Sequence, residues 1–297
     1  MPPDTGKIRI VFHGVRGSYP MPGPDTLHFG GNTTCHEVRA GGRLIIFDSG
    51  TGIINLGREL VRARDDLNIS LFISHSHHDH TDGFLYFPPA YNPGSTIHFF
   101  GPRNGDGNIM DSLASLSTTA AHPVPLAKMG MKATCSVLQH GNVVRWAPGA
   151  EKPEILSPGV SPNPDDVVVR TFHNDRHPAG SLLFRLEYAG KSYVFATDVE
   201  GSEEDGDAKL AEFARNADLL AHDGQYTSEE YARLRRGWGH STVKMAIRTA
   251  VMSGTRRLAI IHHEPAYDDE KLKAMEREGQ ALFPNLFFAR EGQIVEL

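Results

Sequence analysis

The strongest constraint on this chain is the stretch His75-Ser76-His77-His78-Asp79-His80, directly after the apolar run Leu67-Asn68-Ile69-Ser70-Leu71-Phe72-Ile73-Ser74. A strand that passes straight into a turn carrying ligand-type side chains at 75, 77, 79 and 80 fans imidazoles and a carboxylate from one point, which is how a compact metal site is built. The alternative, a polar loop, does not account for ligand-type residues at 75, 77, 79 and 80 within six positions, and imidazole is the commonest protein ligand for zinc. The rest of the chain must therefore fold so that further ligands reach this turn.

At 297 residues the chain can bury a full core. No internal stretch is long or polar enough to cut it in two, so 1–297 reads as a single domain with an irregular insert or lid around 104–166. Charged residues at 22% and hydrophobics at 39% are those of a soluble globular protein. The net charge of −6 argues against a large polyanionic partner, because nucleic-acid binding leans on clustered Lys and Arg. Bound divalent metals would offset that charge locally, which leaves small anionic substrates open. Cys35 and Cys135 form neither a C-x-x-C pair nor a disulfide framework, and read as small buried hydrophobes in a reducing compartment. The N-terminus lacks the basic start and apolar stretch of a signal peptide, and no run approaches transmembrane length, so a cytoplasmic protein without membrane contact is expected.

Ile8 to Phe12 reads as a first strand, followed by a Gly/Pro-rich loop from His13 to Gly31. A hairpin follows, Glu37 to Ala40 and Leu44 to Asp48, then a helix from Ile53 to Arg64. Gly50, Gly52 and Gly57 miss dinucleotide-binding spacing, with Asn55 at the third position, so a tight turn is expected there. Thr81 to Phe87 reads as a short helix, Thr96 to Phe100 as a strand, Ile109 to Leu116 as a helix, and Ala147 to Asp166 as a surface loop. Regular structure resumes with the strand Val167 to Phe172 and the hairpin Ser181–Tyr188 and Lys191–Ala196. Helices are expected over Asp207–Asn216, Ser228–Arg235, Thr242–Met252 and Asp268–Leu282, and strands over Arg257–Ile261, Leu286–Ala289 and Ile294–Leu297. Strands alternating with helices in both halves imply mixed sheets covered by helices.

Three distant ligand candidates, His177, Asp198 and His262, lie at or beside the C-terminal ends of expected strands, where side chains can converge without sequence proximity. Here the motifs carry a resemblance. His75-x-His77-x-Asp79-His80 is similar to the signature of the metallo-β-lactamase superfamily. The order of later motifs resembles its ribonuclease Z and cyclic phosphodiesterase branch. His177 precedes the pair Phe184-Arg185 by seven residues, as in that branch's third motif, which favours His177 over His173. Phe195-Ala196-Thr197-Asp198 resembles the motif of the bridging carboxylate, and Ile261-His262-His263-Glu264-Pro265 the last motif, which favours His262 over His263. Gly14-Val15-Arg16-Gly17-Ser18 with Gly30-Gly31-Asn32-Thr33 also resembles this branch. The resemblance implies an α/β fold, an αββα sandwich of two mixed sheets flanked by helices, with two divalent metal ions. His75, His77 and His177 would hold one, Asp79, His80 and His262 the other, and Asp198 would bridge them. Zinc is the expected ion, and manganese or iron(II) suits the same ligands.

Two such ions can supply hydroxide near neutral pH and clamp the attacking and leaving oxygens of a displacement, so hydrolysis is expected. Asp79 is placed both to ligate and to orient the water. Ala221-His222-Asp223-Gly224-Gln225-Tyr226 and Gly237-Trp238-Gly239-His240-Ser241-Thr242 resemble two further motifs of the branch, in which a carboxylate, here Asp223, orients a histidine, here His240, near the scissile phosphate. His240 would also stand by a helix N-terminus that favours an anion. The roles of His173, His222 and His263 stay open. The expected substrate is a small anionic phosphodiester, a cyclic nucleotide or a cyclic ribose phosphate. Transfer-RNA 3′ processing is the first alternative, but the long basic arm common among such enzymes has no room in the tight hairpin from Leu182 to Ala196. Hydrolysis of a lactone, thioester or β-lactam is the second, and metal-dependent sensing without turnover the third. Arg16, Asn32 and Thr33 are candidates either for substrate contacts or for hydrogen bonds within their own loop. Homodimers are common in the resembling branch.

Overall fold

The computed structural model describes residues 6–63, 67–156 and 161–297. The chain first builds β1 (Arg9–Gly14), β2 (Cys35–Ala40), β3 (Arg43–Phe47), β4 (Asn68–Phe72), β5 (Thr96–Gly101) and β6 (Lys132–Val137) into one sheet. It then crosses to a second sheet of β7 (Val143–Trp146), β8 (Glu154–Leu156), β9 (Val167–Asn174), β10 (Ser181–Tyr188), β11 (Lys191–Ala196), β12 (Leu219–Asp223), β13 (Leu258–Ile261) and β14 (Leu286–Phe288). The last strand, β15 (Ile294–Glu296), returns to the first sheet beside β1. Both sheets are mixed. Pairing is antiparallel through β1-β2-β3 and parallel through β3-β4-β5-β6, and it is antiparallel through β9-β10-β11 and parallel through β11-β12-β13-β14.

Parallel strands need crossovers, and helices supply them. In chain order these are α1 (Ile53–Ala63), α2 (His78–Thr81), α3 (Ile109–Leu116), α4 (Ala208–Phe213), the single turn α5 (Ser228–Glu230), α6 (Val243–Ser253) and α7 (Asp269–Leu282). Because successive strand residues face opposite sides, β3 sends Ile45 and Phe47 between the sheets and Leu44 and Ile46 toward α1. Phe47 lies against Phe184 and Phe195 of the opposite sheet, ring centroids 5.4 and 5.5 Å apart. Outside the second sheet, Leu210 of α4, Ala246 of α6 and Leu272 of α7 pack on Leu220 and Ile260. Burial on both faces explains why the central strands read as continuous apolar runs.

Some expectations shift. Thr81 to Phe87 is not one helix: α2 ends at Thr81, and tighter 3₁₀ turns cover Asp82–Tyr86 and Pro88–Tyr91, with Pro88 and Pro89 barring a continuous α-helix. The span 104–166 is not wholly irregular, since it supplies α3, the edge strands β6 and β8, and β7 between β8 and β9. Those strands escaped a reading by pattern because β6 and β8 lie largely in solvent and β7 has four residues. Arg64, the expected end of the first helix, lies outside the described residues, as do 1–5 and part of the expected 147–166 loop.

Topology now positions the site. The parallel strands of each sheet end on the same edge, where ligands collect in α/β folds. Asp48 follows β3, the His75 turn follows β4, Asp198 follows β11, Asp223 ends β12 and His262 follows β13. No helix among the described residues is long and apolar enough to cross a membrane.

Candidate metal centre

Asp198 is the pivot. One of its carboxylate oxygens, Oδ2, lies 3.5 Å from both His75 Nε2 and His177 Nε2, and the other, Oδ1, lies 3.1 Å from His80 Nε2 and 3.2 Å from His262 Nε2. His77 completes the first half, its Nδ1 3.0 Å from His177 Nε2. Asp79 completes the second, its Oδ2 3.1 Å from His80 Nε2 and 3.0 Å from His262 Nε2. The potential ligand atoms of His75, His77, His177 and Asp198 lie within 4.8 Å of one another, as do those of Asp79, His80 and His262. The seven candidates from the sequence are thus brought together as two groups sharing one carboxylate. Exposed His78 pairs with Asp82 and stays outside.

Two observations test whether metal ions fit. The buried Nε2 atoms of His75 and His80 make no hydrogen bond, although carboxylate oxygens are near both. Ligand atoms that crowd without pointing at one another converge on a common point, as coordination requires. Second, the far ring nitrogens are held. His80 Nδ1–H donates to Asp48 Oδ2 at 2.6 Å, His75 Nδ1–H to Ser74 Oγ at 3.0 Å, and Ser74 Oγ–H to the same Asp48 oxygen at 2.8 Å. His177 Nδ1–H donates to the Gly239 carbonyl at 3.2 Å and His262 Nδ1–H to Gln225 Oε1 at 3.2 Å. Fixing Nδ1 leaves Nε2 with its lone pair toward the centre, the usual outer support of a metal-binding imidazole. The residues fit two divalent cations.

The electrostatics agree with that charge. Burial pushes His75, His77 and His177 below the ordinary histidine range. Burial also opposes charge on His262, but Asp198, Asp79 and Asp223 push it up to about 9. His80 is likewise raised well above the ordinary value, against its burial, by Asp79, Asp198 and Asp48. Burial would raise Asp198, yet the surrounding His262, His80 and His75 hold it well below the usual carboxylate range. Protons on His80 and His262 thus balance two buried carboxylates, a balance that bound cations would provide instead.

A second constellation abuts the first. His240 Nδ1–H donates to Asp223 Oδ2 at 2.8 Å, while Asp223 Oδ1 accepts from the amides of Gln225 at 3.0 Å and Ser241 at 3.3 Å. Asp223, though close enough to count geometrically as a ligand, is engaged by these three donors. The His240 ring stacks on His262 with centroids 4.8 Å apart and meets His177 edge-on at 5.2 Å. His240 precedes Thr242, the N-cap of α6, whose Oγ1 accepts from the Met245 amide. With Asp79, Asp198, His77, His78 and Ser18, His240 lines a pocket of about 270 Å³ at the mouth of the centre.

The histidines left open also have places. His263 faces away from the centre, donating Nε2–H to the Ala289 carbonyl at 2.9 Å and stacking on Phe288. His222 is buried and donates to the Asp223 carbonyl. His173 is exposed and lines a larger neighbouring cavity. Arg16, Asn32 and Thr33 are engaged within the structure instead of facing the centre. Arg16 is fully buried and donates to the carbonyls of Gly30, Glu264 and Tyr267; Asn32 pairs with Glu291, and Thr33 Oγ1 accepts from the Thr51 amide.

Two contributors were not singled out from sequence. Asp48 holds His80, and its only sequence signal is a strand followed by Asp, Ser and Gly. Glu200 accepts from the amides of Gly237 at 2.7 Å and Gly239 at 2.8 Å, bracing the turn that presents His240. No spacing signal marks it.

Known proteins resemble this chain in sequence and in fold. Ribonuclease Z from Pyrococcus furiosus is 24% identical over 316 aligned positions, covering 96% of this chain and 94% of its own. Among solved structures, the metallo-β-lactamase fold protein YhfI from Bacillus subtilis superposes with a TM-score of 0.67 at 17% identity, over 98% of this chain and 99% of its own. A diphosphatase of the PhnP family does so with a TM-score of 0.65 at 14% identity, over 98% of each chain. The family model described as the beta-lactamase superfamily domain matches residues 43–263, a span that contains both halves of the metal centre, and the chain belongs to that superfamily as a hydrolase of the metallo-β-lactamase fold.

Proposed function

We propose that this hydrolase is a phosphodiesterase that uses two divalent metal ions, zinc first among the candidates, on a small anionic diester such as a cyclic nucleotide or a cyclic ribose phosphate. One observation carries the reading: the Asp223–His240 pair, held at 2.8 Å, sits against a centre whose two halves share Asp198. His75, His77 and His177 would hold one ion, Asp79, His80 and His262 the other, with Asp198 between them. When bound, two such ions supply Lewis-acid polarisation of a phosphoryl oxygen and acidify water. The chain's own residues do the rest. Asp79, whose Oδ2 accepts the Ser18 amide at 2.7 Å, orients the attacking water. The water oxygen adds to phosphorus and gives up a proton to solvent, one P–O ester bond breaks, and the departing oxygen takes up a proton. With Nδ1–H committed to Asp223, His240 in its imidazolium form can hand over the proton on Nε2 or donate that hydrogen bond to a phosphoryl oxygen. A thioester, whose thiolate can leave without a proton, would give the Asp223–His240 pair no comparable task.

Cleavage of a tRNA precursor is the second reading, favoured by the nearly full-length match to a ribonuclease Z. Against it stand the net charge of −6 and the hairpin of β10 and β11, which closes directly through Ala189 and Gly190 and carries no arm. Purified protein reconstituted with zinc, manganese or iron should turn over bis(p-nitrophenyl) phosphate and at least one cyclic nucleotide or cyclic ribose phosphate, and leave a tRNA precursor uncut. Cleavage of a thioester or lactone with no diester turnover would overturn the reading, and efficient precursor cleavage would replace it with the second.

A further inference from the structure

Gln225, just past the end of β12, lies where the separate parts of the centre meet. It is 1% exposed, and its side-chain amide is used at both ends. Nε2–H donates to Glu264 Oε2 at 2.8 Å and to Ser18 Oγ at 3.2 Å. A carboxylate only accepts, so the NH2 end of the amide must face Glu264 and the carbonyl end His262. Oε1 accordingly accepts His262 Nδ1–H at 3.2 Å. The orientation of one amide thus fixes the tautomer of a ligand histidine and turns its Nε2 lone pair toward the centre.

The same amide reaches further functional groups on either side. Ser18, whose hydroxyl accepts from Nε2, gives its own backbone amide to Asp79 Oδ2 at 2.7 Å, the oxygen 3.0 Å from His262 Nε2. The loop carrying Ser18 rests on His262 itself. The Gly17 amide donates to the His263 carbonyl at 3.0 Å, and a Cβ on Gly17 would fall 2.2 Å from His262 Nδ1. On the other side, Asp223 Oδ2 lies 3.9 Å from His262 Nδ1 while accepting from His240 at 2.8 Å. Gln225 takes the proton of His262 Nδ1 at shorter range and holds Asp223 Oδ1 with its backbone amide at 3.0 Å, which leaves Asp223 Oδ2 to His240. We propose that Gln225 is the positioning residue that sets His262 and Asp79 for the second ion and keeps the Asp223–His240 pair apart from that site. This role rests on the two-ion reading above, not on which diester is cleaved.

Exchanging the two side chains separates the pattern of donors and acceptors from shape. Gln225→Glu keeps the size and length of the residue but sets a second carboxylate against Glu264 and withdraws the donor to Ser18. Combining it with Glu264→Gln restores one donor and one acceptor between the two positions, and Glu264→Gln alone completes the cycle. Chelator competition on zinc-reconstituted protein reads the two bound equivalents separately. In Gln225→Glu one equivalent should weaken about 10–100-fold while the other keeps its affinity. Its kcat for bis(p-nitrophenyl) phosphate should fall by about tenfold or more, with KM little changed. The double variant should recover most of both losses. Gln225→Met, which fills the space without a donor or a strong acceptor, should lose the same equivalent, and it replaces Gln225→Glu should the latter not fold. Wild-type affinity for both equivalents in either single variant at 225, equal weakening of both equivalents, or no recovery in the double variant overturns the role of Gln225. Should wild-type protein turn over no diester, the phosphodiesterase reading falls, and the metal affinities still judge Gln225.

Discussion

The carboxylate of Glu200 accepts hydrogen bonds from the Gly237 and Gly239 amides and from Tyr231 Oη at 2.6 Å. Two residues after Asp198, it ties the strand end carrying that aspartate to the turn carrying His240. It reaches no ligand group itself, so it acts by positioning. Glu200→Ala should lower kcat on the order of 10–100-fold with KM nearly unchanged, because sub-ångström misplacement of a proton donor is felt mainly in the chemical step. Glu200→Gln keeps one carbonyl acceptor and should recover part of the loss; equal effects on kcat from both variants, or a change confined to KM, would refute the role. Asp48 acts on the metal instead. Asp48→Asn retains an acceptor for the Ser74 amide, which bonds to Asp48 Oδ1 at 2.7 Å, but gives up the second anionic oxygen that holds His80 and Ser74 Oγ. Metal affinity should fall about 10–100-fold, as for other outer carboxylates. Competition with a chelator measures it, and unaltered affinity would make Asp48 a purely structural residue.

Strand ends concentrate the chemistry here, and the backbone shows what that requires. Asp48, Asp198 and His262, each just past a strand, take left-handed φ of 60°, 52° and 61°. Non-glycine residues hold such values only where surrounding structure enforces them, and they cluster at functional sites. The turn before α6 depends on glycine for the same reason. Gly239 has φ of +89°, and an added Cβ would lie 2.3 Å from His177 Nδ1 and 2.6 Å from Pro178 Cδ. Gly239→Ala should therefore displace His177 and His240 together, with activity and occupancy of the His75 half of the centre falling on the order of a hundredfold and far-ultraviolet circular dichroism unchanged. A fully active Gly239→Ala protein would contradict this geometry. The same strand ends explain what the sequence revealed. Those of β4, β11 and β13 were legible because each of these buried strands closes on apolar residues, Leu71-Phe72-Ile73, Val194-Phe195-Ala196 and Ala259-Ile260-Ile261, and then stops at polar ones. Edge strands β6 and β8 were not, since solvent takes the alternating faces that would have marked them. Asp48 and Glu200 carry no spacing pattern because each supports a residue distant in sequence.

Across the whole molecule, the layer between the sheets contains a group whose charge the fold forbids. His36 on β2 is fully buried, its ring packed edge-on against Phe12 and Phe195, with Nδ1 bonded to Tyr193 Oη at 2.6 Å and Nε2 without a partner. Burial, with smaller contributions from His13 and His80, lowers its pKa from 6.5 to about 3. The sign of the resulting pH dependence follows directly. Between pH 6.5 and 3 the unfolded chain takes up a proton at this position and the folded protein does not, so stability is full above 6.5 and declines as pH falls toward 3. The slope approaches about 1.4 kcal/mol per pH unit, so this residue alone should remove about 2 kcal/mol between pH 7 and pH 5. Acid also releases metal and protonates other groups, but those effects are common to any variant at the same pH. His36→Phe keeps the aromatic packing and removes only this titration, so comparing the two proteins isolates it. At pH 7 the variant loses the hydrogen bond to Tyr193 and sheds an unpaired buried nitrogen, two effects of opposite sign. Whatever their sum, urea unfolding of both proteins should show the stability difference moving by about 2 kcal/mol in favour of His36→Phe between pH 7 and pH 5. Parallel stability curves over that interval would mean that His36 accepts its proton without unfolding, and that the layer between the sheets admits charge or water that its packing otherwise excludes.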